Sequence, residues 1–450
     1  MSGGNNAETL QALVAAARKA GADAADAILV GNASLSVQRR LGRTEQVERA
    51  EGFDLGLRVF VGEGGKLRQA IVSSTDPKPA GFAALAERAV AMARAVPEDP
   101  FGGLADVPDG LVGVDLDLAD GTAEPDAAAL AERAAAAEEA ALAVPGVNNS
   151  EGADAGYGRT TIALATSTGF AGEYQRTSHS ISVTALAGQG TGMERDYDYS
   201  YAVHLSDLDD PAQMGHRAGE RAVARLNPRR PKTAKLPVVY DPRVAGSLLG
   251  HLAGAINGAA VARGTSFLKD RLGQRVLPAG LSVVDDPTRR RGLRSKPFDG
   301  EGMKGMRRAV VEDGVLTTWI LDWRSARQLK LASTGHAGRG TGGPPSPSPT
   351  NLWLEGGVVA PQALMADIKE GLYITELIGM GVNGLTGDYS RGAAGFMIRD
   401  GALAEPVSEI TVAGNLRDML MHLAAADDLV FKRGTDAPTI RVEGLTLAGA

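Results

Sequence analysis

The N-terminal half of the chain shows two kinds of hydrophobic periodicity. Apolar residues recur at helical spacing in four segments, residues 8–20, 81–95, 125–144 and 211–225. Short alternating runs over residues 24–75 and 147–205 predict antiparallel meanders, with turns at Gly31-Asn32 and at residues 62–65. Because strands cluster instead of alternating one by one with helices, this order indicates an α+β fold.

The C-terminal half is predicted to be dominated by antiparallel sheet. Strand-like runs cover residues 236–240, 281–284, 308–311, 316–321, 372–377, 394–398 and 407–412. Asp241-Pro242 predicts the start of a helix, because Asp is a common N-cap and Pro is favoured at the first helical position. A short helix is predicted over residues 415–422. This half is therefore a second α+β unit.

A charged, proline-rich stretch without apolar periodicity separates the two halves. It predicts an N-terminal α+β domain over residues 1–228, a linker over 229–235 and a C-terminal domain over 236–450. The length of 450 residues fits two or three domains at roughly 150 residues each.

Composition and charge exclude several classes of function. The net charge of −7 argues against nucleic-acid and anionic-membrane partners, which are bound by a surplus of Lys and Arg. The chain has no cysteine, which excludes thiol nucleophiles and every zinc site with a thiolate ligand. No segment approaches the ~18 apolar residues of a membrane span, and residues 1–6 lack the features of a secretion signal. We expect a cytoplasmic protein.

The histidines provide no local metal motif. None of the six is followed by Glu, and no two lie within five residues of each other. His251 lies on the apolar stripe of the helix predicted after Pro242, where a buried, singly satisfied histidine is the expected interpretation. His336 lies in a Gly- and Pro-rich loop over residues 333–357, where a packing role is least expected. It is therefore kept as a candidate functional residue.

Two further patterns have competing interpretations. Ser266 and Lys269 match S-x-x-K, but the companion motifs of penicillin-binding serine enzymes are imperfect and misplaced. Tyr197, Tyr199 and Tyr201 alternate along a predicted strand, which places all three on one face. They form either a recognition surface or a cross-strand packing cluster.

Four longer motifs carry a family resemblance. They are ARGTSF at residues 262–267, STGHA at 333–337, PSPSPTNL at 345–352 and GLTGDYSRGAAGF at 384–396. Together they resemble the TldD/PmbA family, specifically its TldE (PmbA) branch. The resemblance implies a two-domain α+β fold of the PmbA/TldD type in a prokaryotic, cytoplasmic protein. It also implies a heteromeric metallopeptidase, in which a zinc-holding TldD subunit pairs with a TldE subunit. The resemblance further implies that this peptidase acts on unfolded or short peptides and takes part in leader-peptide trimming and antitoxin degradation.

The same resemblance locates the family's zinc motif on this chain. When Arg263 to Ser266 are aligned with the family's Arg-Gly-Thr-Ser, the motif H-E-x-x-x-H falls on Leu249, Gly250 and Gly254. None of these can bind zinc or act as a base. The third zinc ligand of TldD is a late cysteine, where this chain reads Arg-Gly-Ala over residues 391–393. The resemblance therefore implies no metal and no catalytic residue in this chain, with zinc in a TldD-type partner.

Three hypotheses about function stay open at this point. The first is a TldE-type subunit that is inactive alone and helps to hold an extended peptide, for example by main-chain pairing to a sheet edge. The second is a self-sufficient hydrolase. Four polar residues are candidates for its chemistry, or for a substrate channel in the first hypothesis: His336, Asp388, Tyr389 and Arg391. The third is a binding module without a peptidase partner. A homodimer of the isolated chain also stays open.

Overall fold

The computed structural model describes residues 6–62, 66–107 and 115–449. Most of the turn predicted at residues 62–65 therefore lies outside the described residues. The N-terminal helices are α1 (Asn6–Lys19), α2 (Phe82–Ala95), α3 (Ala127–Leu142) and α4 (Pro211–Ala224). The N-terminal strands are β1 (Ala24–Arg40), β2 (Arg43–Val61), β3 (Arg68–Ser74), β4 (Val147–Thr166), β5 (Ala171–Ala187) and β6 (Glu194–Ala202). The four predicted helices are confirmed.

The six N-terminal strands form one antiparallel sheet in the order β3-β2-β1-β4-β5-β6. One face of this sheet packs against the helices, since Leu29 and Leu57 share a buried cluster with Leu10 and Leu13 of α1. In β6, the face opposite the tyrosines is buried, with Asp198 held by Arg217 of α4 (Oδ2–Nε 2.7 Å).

The break predicted at Gly31-Asn32 is wrong, because β1 continues through both residues. Gly31 pairs with Phe53 of β2, and a Cβ atom at Gly31 would lie 2.7 Å from the Phe53 ring. The glycine therefore makes room for a cross-strand aromatic side chain, and it does not form a turn.

The C-terminal half contains the remaining elements. The helices are α5 (Pro242–Ala255), α6 (Gly258–Ala262), α7 (Trp323–Leu329), α8 (Pro361–Met365) and α9 (Leu416–Met421). The strands are β7 (Ala234–Tyr240), β8 (Ser282–Asp286), β9 (Arg308–Glu312), β10 (Val315–Leu316), β11 (Ala337–Gly338), β12 (Ser346–Pro347), β13 (Asn351–Glu355), β14 (Glu370–Val382), β15 (Asp388–Arg399), β16 (Ala402–Asn415), β17 (Leu423–Ala425), β18 (Thr435–Asp436) and β19 (Ile440–Ala448).

Two larger sheets organise this half. The first has the order β16-β15-β14-β7-β19-β17, and an additional pairing of β16 with β19 closes five of its strands into a ring. The second has the order β10-β9-β8-β13-β18. Most pairs are antiparallel, with β7–β14 and β13–β18 parallel. The α+β class is confirmed, and the strands of the two halves belong to separate sheets; the domain boundaries at 228 and 236 stay a prediction.

The strand predicted over residues 316–321 is largely wrong. Of these residues only Leu316 belongs to a strand, β10 (Val315–Leu316), and Ile320 forms a single bridge with Asn257. The chain then turns into α7, which the sequence did not predict. Asp322 caps this helix by accepting a hydrogen bond from the Ser325 amide (2.9 Å). The apolar run is explained by burial without extended pairing, since Trp319 and Leu321 both lie in the core.

The second face of the N-terminal sheet contacts the C-terminal half through a buried charged cluster. Asp26 accepts hydrogen bonds from Arg58 of β2 and forms an ion pair with Arg339 (Oδ1–Nη2 2.7 Å). Glu301, also buried, accepts a hydrogen bond from the Trp323 amide (2.8 Å). Ionisable groups therefore lie in the contact between the two halves. No helix in the described part of the chain is long and apolar enough to cross a bilayer.

Candidate functional site

Helix α5 carries the positions that the family's zinc motif would occupy. Asp241 caps it by accepting a hydrogen bond from the Arg243 amide (2.8 Å), as predicted from the Asp-Pro pair. Leu249 is 1% exposed and packs in the C-terminal core. Gly250 and Gly254 are exposed, and a Cβ atom at either would meet no other atom within 4 Å. We call the surface formed by these two glycines the open face of α5.

The residues at these positions do not fit a zinc ion. Leu249 has no donor atom and points into the core, while Gly250 and Gly254 have no side chains. Within residues 6–62, 66–107 and 115–449, no group of three or more His, Asp or Glu side chains is arranged to hold a metal ion. The full sequence contains no cysteine. We therefore derive no metal-dependent step on this chain.

His251 follows Gly250 in α5 and borders the open face. The His251 ring packs edge-on against Tyr389 of β15, with centroids 5.9 Å apart. Its Nε2 atom is buried and has no hydrogen-bond partner among the described residues. Burial and the charge of Arg391 lower the pKa of His251, so its imidazole is neutral at pH 7. His251 is less buried than expected, because the residue as a whole is only half-buried although its Nε2 atom is fully buried.

Tyr389 lies beneath this surface and is not accessible from it. It is 1% exposed and belongs to the core beside Tyr240. Burial raises the pKa of both phenols, so both stay protonated. Arg391, two residues along β15, reaches outward and donates from Nε to the Ile378 carbonyl (3.3 Å). Of these two candidates, only Arg391 could contact a ligand.

Asp388 lies at the start of β15 and stabilises a turn. Its carboxylate accepts hydrogen bonds from Thr386 Oγ1 (2.7 Å) and Asn415 Nδ2 (3.2 Å). These two bonds, in that order, lower the pKa of Asp388, which is therefore ionised at neutral pH. The residue is exposed, but its hydrogen bonds to Thr386 and Asn415 give the carboxylate a structural role in the turn.

His336 is separate from this group, and the expectation that it has no packing role is wrong. The residue is fully buried, with Nδ1 2.9 Å from Thr334 Oγ1 and Nε2 3.0 Å from Asp285 Oδ1. Asp285 in turn accepts a hydrogen bond from the Thr350 amide (2.7 Å). His336 therefore holds a long loop against β8, and the four polar candidates do not converge on one site.

The motifs behind the family resemblance hold the C-terminal end of α5. Ser266 donates to the Ala255 carbonyl (2.5 Å), which gives the S-x-x-K serine a structural role. The amide of the next residue, Phe267, bonds to the Gly384 carbonyl (2.9 Å). Asn257, the cap of α6, donates from Nδ2 to the Pro347 carbonyl (2.8 Å). These contacts bring distant motifs together around one helix end.

Sequence reasoning missed a group of arginines near Arg391. They come from β6, α5 and two loops, and line a cavity of about 560 Å³ between the two halves of the chain. No local pattern predicts this group, because its members lie tens of residues apart. Arg243 follows the predicted helix start at Pro242 and Arg195 precedes the alternating tyrosines of the predicted strand, but neither position indicated a shared cavity.

Comparison with known protein families defines the class. Three models of the PmbA/TldA metallopeptidases match consecutive parts of the chain: domain 1 over residues 25–93, the central domain over 120–226 and the C-terminal domain over 233–449. Metalloprotease PmbA of Escherichia coli O157:H7 is 37% identical over 95% of this chain and 92% of its own. The PmbA homolog of Haemophilus influenzae is 35% identical over 96% and 94%.

Solved structures agree with this assignment. A chain from Bacteroides thetaiotaomicron, described as a candidate modulator of DNA gyrase, is 27% identical with a TM-score of 0.89 over 100% of both chains. TldE from Thermococcus kodakarensis superposes with a TM-score of 0.84 over 98% of this chain and 100% of its own; at 18% identity it shows the fold alone. The chain belongs to the PmbA/TldD metallopeptidase family.

Proposed function

We propose that this chain is the non-catalytic, TldE-type subunit of a heteromeric zinc metallopeptidase that acts on unfolded or short peptides. The observation that supports this most strongly is the composition of α5, where Leu249, Gly250 and Gly254 replace two zinc ligands and the general base. Metal-assisted hydrolysis needs a Lewis acid and a proton acceptor. A separate TldD-type subunit would supply both.

The open face of α5 supports a role in holding a peptide. Because Gly250 and Gly254 leave the helix backbone uncovered, an extended chain or a partner's side chain has room to lie against it. A site that binds a peptide through its backbone tolerates many sequences. The trimming of leader peptides and the degradation of antitoxins would need this tolerance.

The hairpin of β14 and β15 supports the partnership. Three large apolar side chains are exposed at this hairpin: Ile378 at 59%, Met380 at 86% and Leu385 at 52%. Several exposed apolar side chains in one place are typical of protein–protein contacts. We therefore assign the hairpin to the interface with the TldD-type subunit.

The test compares the isolated chain with a mixture that contains a subunit carrying H-E-x-x-x-H. We expect the isolated chain to hold no stoichiometric zinc in elemental analysis and to cleave no unfolded peptide. Cleavage should appear in the mixture and disappear with a chelator. Stoichiometric zinc together with hydrolysis by this chain alone would overturn the proposal.

A pair of variants tests the interface. Met380→Glu should weaken activation of the mixture, because it places a charge in an apolar contact. Met306→Glu is the matched control, since Met306 is 58% exposed but lies outside the hairpin. Equal loss of activity in both variants would refute the assignment of the interface. Failure to recover any TldD-like chain with this protein from its host would favour a binding module instead.

A further inference from the structure

The arginine-lined cavity beside α5 has an unusual balance of charge. Its charged wall consists of five arginines and one glutamate: Arg195, Arg243, Arg294, Arg391, Arg433 and Glu376. Tyr197, Val244 and Leu377 supply apolar surface. A volume of about 560 Å³ lies within the range of small-ligand pockets. The cavity therefore combines apolar walls with an excess of positive charge.

Two of these arginines are neutralised by carboxylates. Arg195 Nη2 lies 3.0 Å from Glu376 Oε1. Arg243 Nη1 lies 2.6 Å from Asp196 Oδ1, and its Nε lies 3.2 Å from Asp241 Oδ1. Glu376 also pairs with an arginine outside the cavity, so it has no charge left to offset the others.

The other three arginines bond to neutral acceptors. Arg294 Nη1 donates to Thr435 Oγ1 (3.0 Å) and Arg391 Nε to a backbone carbonyl (3.3 Å). Arg433 donates from Nη1 to the Pro242 carbonyl (3.1 Å) and from Nε to a tyrosine hydroxyl. Within the described ranges no Asp or Glu forms an ion pair with these three. Their charges are therefore uncompensated and converge on one cavity.

The guanidinium of Arg391 is free to bind a planar anion. Among the residues that the structure describes, its Nε alone forms a hydrogen bond, so both terminal nitrogens remain available. A carboxylate accepts two parallel N–H bonds from such a fork, and bonds between charged groups are about twice as strong as neutral ones. The chemistry of the wall thus fits a carboxylate.

The cavity reaches the turn of α5 that precedes the open face. Gly246 and Ser247 line the cavity and lie one helical turn before Gly250 and His251. A peptide that lies along the open face can therefore place a carboxylate among the arginines without leaving the helix.

We propose that this cavity binds a carboxylate of a peptide, supplied by an acidic side chain or by the C-terminus, and so gives the chain a preference for peptides that carry such a carboxylate. The proposal rests on the proposed function for the identity of the peptide as a substrate. The binding itself is a property of this chain and needs neither a partner nor hydrolysis.

The experiment measures peptide binding to the isolated full-length chain by fluorescence anisotropy at low salt. Three labelled peptides of equal length are compared: one with acidic side chains and an amidated C-terminus, one neutral with a free C-terminus, and one neutral and amidated. We expect at least one carboxylate-bearing peptide to bind about tenfold more tightly than the neutral amidated peptide, and added salt to reduce this difference. The first two peptides identify the source of the carboxylate.

Variants locate the site. Arg391→Gln and Arg294→Gln should each reduce the preference for the carboxylate about fivefold or more, whereas Arg391→Lys should restore part of it by keeping the charge without the fork. Arg399→Gln is the matched control, because it removes the same charge from the same strand but lies among Glu370 and Glu405. Its binding should not change.

Three results would overturn the proposal: equal binding of all three peptides, unchanged binding by both cavity variants, or binding of a single-stranded oligonucleotide in place of peptides. Circular dichroism of each variant confirms that it is folded. Because no catalysis is measured, an inactive mixture with a TldD-type subunit would refute the proposed function while leaving this binding result intact.

Discussion

The open face of α5 leads to a prediction about stability that can be worked out for single glycines. Gly246, Gly250 and Gly254 follow each other at four-residue spacing and share one side of the helix. Glycine inside an exposed helix is less favourable than alanine by about 0.8–1.0 kcal/mol. A Cβ atom at Gly250 would meet nothing within 4 Å. Gly250→Ala should therefore raise the free energy of unfolding by about 0.5–1 kcal/mol, and Gly254→Ala by less, since Gly254 lies in the last turn.

Gly246→Ala is the matched control, because it should change the free energy of unfolding in the opposite direction. A Cβ atom there would lie 2.8 Å from the Thr435 carbonyl oxygen in β18, which is backbone and cannot rotate away. Forcing such a contact costs about 1–3 kcal/mol, which exceeds the gain in helix propensity. We expect a net loss of up to about 2 kcal/mol.

Tryptophan fluorescence during urea unfolding measures both effects. The chain has three tryptophans, Trp319, Trp323 and Trp353, and all lie in the C-terminal half with α5. The midpoint should rise for Gly250→Ala and fall for Gly246→Ala, with an unchanged slope. A lower midpoint for Gly250→Ala would refute the reasoning, because it would mean that other atoms of the folded chain occupy the open face.

Three further predictions concern buried polar groups. His336→Ala should lower the free energy of unfolding by about 2–4 kcal/mol, since it removes a hydrogen bond to the buried Asp285; a loss below 1 kcal/mol in urea unfolding would contradict this. Burial raises the pKa of Glu301 to about 8, so this carboxyl takes up a proton on folding, and its contribution is lost as the pH rises from about 4.5 towards 8. Thermal unfolding should therefore show that the stability of Glu301→Gln relative to the unchanged protein increases between pH 5 and pH 8. Plots of stability against pH that run parallel for the two proteins would contradict this. Arg339→Met should leave stability unchanged or raise it by about 1 kcal/mol in urea unfolding, because Asp26 keeps its pair with the neighbouring arginine; a loss above 2 kcal/mol would contradict it.

The predictable part of the fold is the part that local chemistry determines. The start of α5 followed from Asp241-Pro242, because a cap and a proline act within one turn. The break at Gly31 was wrong because the reason for the glycine is Phe53, which lies on another strand. Helix α7 was missed because its seven residues are too few for a periodic signal, and an apolar run next to it suggested a strand.

The candidate site was less predictable, because it is assembled from distant segments. His336 is buried and bonds to Asp285, which lies 51 residues away in the sequence. The composition of the loop around His336 could not indicate this contact. The arginine cavity joins Arg195 to Arg433 across more than half of the chain. The sequence did single out Gly250 and Gly254, since both lie on one predicted helix at positions of the family's zinc motif, but their exposure is seen only in the structure.

Family membership and catalytic chemistry are carried by different residues in this chain. The motifs that resemble the family hold the end of α5 in place, through Ser266 against Ala255 and Asn257 against Pro347. None of these contacts needs a metal ion or a base, so they do not depend on zinc ligands in the helix. In the proposed function, chemistry depends instead on the positions of Leu249 and Gly250, which lie outside these contacts. A fold shared with metallopeptidases therefore identifies the scaffold, and the reaction must be assigned from the side chains of α5.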